Sequence, residues 1–121
     1  MRICEEMAKL RDALTKRGIS WIDKSDIKSE DEIQKVMQFG IAREYADTSI
    51  FRTHFEINGN LWSVINGYAT YGGYDPFTGI NEGLLECMVS CIDSGEPVGC
   101  LTAEKVMQMI EQQLTDKEDK P

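Results

Sequence analysis

Four aromatic side chains, Tyr68, Tyr71, Tyr74 and Phe77, fall within ten positions, interleaved with Gly67, Gly72, Gly73 and Gly79. Aromatic faces stack on planar groups such as nucleobases, at about 1–3 kcal/mol per base in single-strand nucleic-acid sites. Glycines let backbone amides approach a ligand closely or take positive φ. Asn66 and Asn81 flank the stretch and could read hydrogen-bonding edges. The bland alternative is that the tyrosines pack on a sheet and the glycines only make turns. Charge limits what such a loop could hold, because no Lys or Arg occurs between Arg52 and Lys105. A phosphate here would need Arg43, Arg52, Lys105, backbone amides or a neighbouring subunit. The amides around Thr102, at the start of the last helix, would add a favourable dipole.

Catalysis has weaker support. Glu56 and Glu86 sit on strands at positions expected to face solvent, whereas general acid–base work needs carboxylates with opposed environments. A thiol nucleophile would need His54, the single histidine, beside a cysteine. Cys87 and Cys91 stand in apolar company, which raises a thiol's pKa. Gly67-x-x-x-x-Gly72-Gly73-Tyr74 lacks the lysine and hydroxyl of a phosphate-binding P-loop. Four cysteines without a Cys-x-x-Cys, and one histidine, complete no familiar zinc set, so neither metal nor cofactor is expected.

A length of 121 residues suits a single domain spanning 1–121. A net charge of -8 and a pI near 4.6 argue against DNA, RNA and anionic membrane surfaces as partners. No apolar run reaches the roughly 18 residues that span a bilayer. Met1-Arg2-Ile3-Cys4-Glu5-Glu6 lacks the apolar core of a signal peptide. Cytoplasmic residence with reduced thiols is the expectation.

The elements that must position the loop read as follows. Ile3, Met7, Leu10 and Leu14 form one helical stripe that stops at Gly18. That stripe packs on the chain's own sheet or meets a second subunit. Ile19–Asp23 is a short strand, and 24–28 a loop. Ser29-Glu30-Asp31-Glu32 is a capping box, opening a second helix from Glu30 to about Ala46, although Gly40 could end it early. Phe51, Thr53, Phe55 and Ile57 alternate with Arg52, His54 and Glu56, the period of a strand with one face buried. Asn58-Gly59 turns it into a returning strand, Leu61 to about Tyr68. Leu84–Ile92 fits helix and strand about equally. Strand is chosen because the run is short and a turn at 93–97 follows it. Val98–Leu101 is β-prone, and Thr102 caps a last helix carrying Ala103, Val106, Met107, Ile110 and Leu114. From Thr115 the tail is polar and expected to fray. The sum is an α+β domain: a small antiparallel meander with an N-terminal helix, a second helix before the sheet and a C-terminal helix. Its exposed sheet edges or helix stripes invite a homo-dimer or higher homo-oligomer.

Several stretches together resemble a known family. They are Arg52-Thr53-His54-Phe55, the run from Trp62 through Asn66-Gly67-Tyr68 to Gly72-Gly73, Gly83-Leu84-Leu85-Glu86, and Gly99-Cys100-Leu101-Thr102-Ala103-Glu104-Lys105-Val106. Across roughly the C-terminal two-thirds, the chain resembles the first-described family of phage Thoeris anti-defence proteins. The resemblance implies a sponge in the infected bacterium's cytoplasm. Such a protein sequesters cyclic ADP-ribose isomers without cleaving them, and some members also bind cyclic oligonucleotides at a separate site. It implies pockets between subunits, with an aromatic under the base, an Asn, and arginine toward phosphate. The residues available for those roles are Phe77 or Tyr71, Asn81 or Asn66, and Arg52 or Arg43.

Overall fold

Residues 51, 53, 55 and 57 are buried while 52, 54 and 56 are not, so the period-two pattern becomes strand β2, Ile50–Ile57. Asn58 and Gly59 take φ of 54° and 81°, the left-handed pair that a tight hairpin turn requires. The chain returns as β3, Asn60–Gly67, in register from Ile57↔Asn60 to Ile50↔Gly67.

The computed structural model describes residues 3–70, 72–75, 77–78, 80–89 and 98–118. Its elements in order are α1 Glu5–Lys16, β1 Trp21–Asp23, α2 Glu30–Met37, α3 Arg43–Ala46, β2, β3, β4 Tyr74–Asp75, β5 Ile80–Asn81, β6 Leu85–Val89, β7 Val98–Leu101 and α4 Ala103–Glu118. Strands β1, β2, β3, β6 and β7 lie side by side in that order, each antiparallel to its neighbour. Strands β4 and β5 form a separate two-stranded ribbon inside the aromatic loop. This is the expected α+β class, with α1 and α4 packed on the sheet.

One face of the sheet holds the core. Phe51, Phe55, Trp62, Val64, Leu85, Cys87 and Val89 meet Met7, Leu10 and Leu14 of α1 and Val106 and Ile110 of α4. The rings of Phe55 and Trp62 stack at 5.7 Å between centroids, which adds about 0.5–1.5 kcal/mol to their burial. Arg11 ties α1 to the β1 edge: its guanidinium lies 4.8 Å over the Trp21 ring and donates to Thr53 Oγ1 (2.8 Å) and Asp23 Oδ1 (3.1 Å). The N-terminal stripe is therefore spent inside the fold. The opposite face carries Arg52, His54, Glu56, Leu61, Ser63, Ile65, Glu86 and Met88.

Three expectations change. The helix from Glu30 to about Ala46 is two helices, because Gly40 adopts φ of 84° and ends the first turn sequence. The polar tail is helical through Glu118 rather than frayed from Thr115. The expected strand stands at Leu85–Val89, whose residues 85, 87 and 89 are buried. The rest of the Leu84–Ile92 run and the turn at 93–97 lie outside the described residues, apart from Leu84. The Ser29 cap forms, its hydroxyl accepting from Glu32 N at 3.2 Å, but the Glu32 carboxylate accepts from that hydroxyl rather than from the Ser29 amide.

Candidate functional site

Leaving β3, the chain folds the aromatic loop back on itself. Gly67 N donates to Thr70 Oγ1 (3.1 Å), Gly73 N to Thr70 O (3.0 Å) and Leu84 N to Gly72 O (2.9 Å). Gly72 has φ of 92°, and a Cβ there would come within 2.8 Å of Leu84 Cβ and 3.0 Å of Cys100 Cα. Only glycine lets β7 come this close. Two short turns shape the ribbon: Asp75 Oδ1 accepts from Phe77 N (2.8 Å), and Thr78 Oγ1 from Ile80 N (3.4 Å).

Between this loop, α3 and the β7 strand lies a cleft of about 520 Å³, within the usual size range of small-molecule sites. Tyr45 from α3, Tyr68 from the end of β3 and Phe77 from the ribbon supply its aromatic walls, and Gly72 and Gly73 expose backbone along its floor. Phe77 is 89% exposed. Its polar lining includes the carboxylates of Asp75 and Glu82, with the free thiol of Cys100 also present. Among the described residues, no Lys or Arg lines it.

Of the candidates, Phe77 lines the cleft, and Tyr71 lies outside the described residues. Asn66 is buried and works as a brace. Its amide donates to Leu84 O (2.8 Å) and exchanges 3.4 Å contacts with the amide of Asn81, whose Oδ1 also accepts from Gly83 N (2.7 Å). The two asparagines thus hold the loop's ends together beside the cleft rather than line it. Arg43 is engaged with Glu30 through two bonds, Nη1–Oε1 at 2.8 Å and Nη2–Oε2 at 2.7 Å. The guanidinium and a bond from Gln34 pull the Glu30 carboxyl down to about 2. Arg52 projects from the sheet face opposite the helices.

The start of α4 is already capped by the chain itself. Glu6 Oε1 accepts from Ala103 N (2.8 Å), and Thr102 Oγ1 from Lys105 N (3.2 Å). A carboxylate thus occupies the place considered for phosphate, and Lys105 stands exposed on α4. Tyr45, Asp75, Glu82 and Cys100 are cleft residues that the sequence reading did not single out. Tyr45 lies on α3, beyond the break at Gly40, and reaches the cleft from there.

Among the described residues, which do not include Cys91, thiol chemistry gains nothing from the geometry. Cys87 lies in the core, where burial pushes its thiol up to about 12, on the face opposite His54. Among the described residues, no group of three His, Cys, Asp or Glu side chains is placed to hold a metal, and no helix is long and apolar enough to cross a membrane. No protein-family model matches the chain, and comparison with curated proteins and with solved structures gives no match.

Proposed function

We propose that the chain is a non-catalytic binding protein that sequesters a small cyclic nucleotide of the cyclic ADP-ribose class. On this reading it is a phage-encoded sponge that withholds an immune signal in the bacterial cytoplasm and leaves it intact. The observation that carries the reading is the cleft walled by Tyr45, Tyr68 and Phe77 over the Gly72–Gly73 backbone. Such a site stacks a purine between rings and offers amides to its edges. The likeness of the loop to the anti-defence family selects the ligand class.

Among the described residues no Lys or Arg lines the cleft and Asp75 and Glu82 add negative charge, so the ligand's phosphates need cations from a second copy of the chain. A homo-oligomer follows from that requirement. The test is to mix purified protein with a cyclic ADP-ribose isomer, remove free ligand, heat the complex and weigh what is released. Intact isomer in stoichiometric amount, reduced at least tenfold by Phe77→Ala, is the expected result. A cleaved product, or no retention, rejects the reading.

A protein-docking role is the second reading, favoured by Phe39, 85% exposed in the turn between α2 and α3. Phe39→Asp would then abolish capture of one stoichiometric protein partner while leaving small-molecule retention unchanged.

A further inference from the structure

A second cleft, of about 540 Å³, opens at the far end of the β2–β3 hairpin, away from the aromatic loop. Its walls include Ile19, Ile22, Ile57, Leu61 and Leu114, contributed by the α1–β1 connection, the hairpin and α4. Ile22 is 59% exposed and Leu61 44%, so part of this apolar surface faces solvent. Lys24 and His54 line the same cleft.

The register explains why basic groups gather there. Ile22 pairs with His54, and Lys24 N donates to Arg52 O at 2.9 Å, which sets Lys24 beside Arg52. Arg52 and His54 alternate onto one face of β2, and His54 Nε2 lies 3.1 Å from Ser63 Oγ on β3. In a chain of net charge -8, three basic side chains therefore share one patch. Among the described residues, neither Lys24 nor Arg52 is in an ion pair; Arg11, Arg17, Arg43, Lys9, Lys16 and Lys28 all are, and Lys35 and Lys105, also outside any ion pair, stand exposed on helices α2 and α4. The carboxylate lining the cleft is Glu56, and Glu86 stands two strands from Arg52 across Ile65. His54 is held below its ordinary value first by burial and then by the Arg52 and Lys24 charges.

We propose that this cleft binds a small amphipathic anion, its carboxylate or phosphate monoester set against Lys24, Arg52 and His54 and its apolar body against Ile22, Leu61 and Leu114. Cations kept unpaired on an acidic protein favour a negative headgroup, and the walls favour a chain or ring rather than a bare ion. A bound anion stabilises the imidazolium, so it raises the His54 pKa and binds more tightly below that pKa than above it. The proposal does not depend on what the aromatic cleft binds.

The test exploits His54 being the single histidine, whose ring proton gives one resolved NMR signal. The 121-residue chain is titrated with octanoate and with octyl phosphate. Acetate and inorganic phosphate serve as charge-only probes, and 1-octanol as an apolar one. The expected result is a saturable shift with one or both amphiphiles, the tighter of the two naming the headgroup. His54 should move upward by about half a unit or more, and the charge-only and apolar probes should bind at least tenfold more weakly. Lys24→Ala/Arg52→Ala should weaken the amphiphile at least tenfold with the amide spectrum otherwise preserved, and each single variant by a smaller factor. No saturable shift, acetate binding as well as octanoate, or unchanged binding by the double variant overturns the proposal.

Discussion

Asn66 shows what a single side chain holds in place. It is buried at the end of β3, and its amide spans the gap to Leu84 O and Asn81, closing the loop that carries Phe77 and Glu82. Asn66→Ala removes the donor and leaves a buried carbonyl short of a partner, at a cost of about 1–3 kcal/mol. Urea unfolding should show a lower midpoint with an unchanged slope, and ligand retention should fall with it. The sequence pointed to this residue for another reason, as a possible reader of a ligand's edge. Composition shows that an amide is present, but not whether its bonds are spent inside. Cys100 is the converse case: it reached the cleft unnoticed because the close approach of β7 depends on Gly72, distant in sequence and held at positive φ.

The same limit appears among the elements. Alternation in β2 and the Asn58-Gly59 turn were legible because one face is buried and the other wet, so each residue reports its own environment. The α2–α3 break was only half legible, since Gly40 marks a possible stop while a helical stripe continues numerically across it. Gly40 at φ of 84° sets the break, and the two-bond pair between Arg43 and Glu30 braces α3 against α2 across it. Glu30 is pulled from an ordinary 4.5 to about 2. A depressed folded pKa contributes its stability above 4.5, and that contribution is lost as pH falls from 4.5 through about 2. A carboxyl NMR titration should place Glu30 near that low value, and Arg43→Ala should return it toward 4.5 while loosening α3 and Tyr45. At the other end of the chain, Glu6 caps α4 from α1. Glu6→Ala should lower stability by about 0.5–2 kcal/mol, the usual worth of a helix cap, read as a fall in melting temperature. Glu6→Gln, which keeps an acceptor for Ala103 N, should recover most of it.

Across the whole molecule, charge and cleft chemistry pull in opposite directions. The chain carries a net charge of -8, and the aromatic cleft adds Asp75 and Glu82 to its lining. For a ligand with two phosphates, a single copy offers stacking against a repulsive background, and this repulsion is long-ranged where stacking is not. Two carboxylates at about 8 Å in a high dielectric each oppose a phosphate by about 0.5 kcal/mol. On the proposed sponge reading, below the protein concentration at which copies would associate, binding of a cyclic ADP-ribose isomer should therefore tighten as salt rises from about 20 to about 200 mM, where the screening length falls below about 10 Å. Glu82→Gln should tighten it about twofold at low salt and by less at high salt, the carboxylate's share of the repulsion. Once a second copy brings its cations to the ligand, the dependence should reverse, with salt weakening the complex. Calorimetric titrations at two protein concentrations on either side of association, each at two salt levels, read both slopes. A cleft complete in one chain would give the same salt dependence at both concentrations, with no reversal, and that result would remove the need for a second copy.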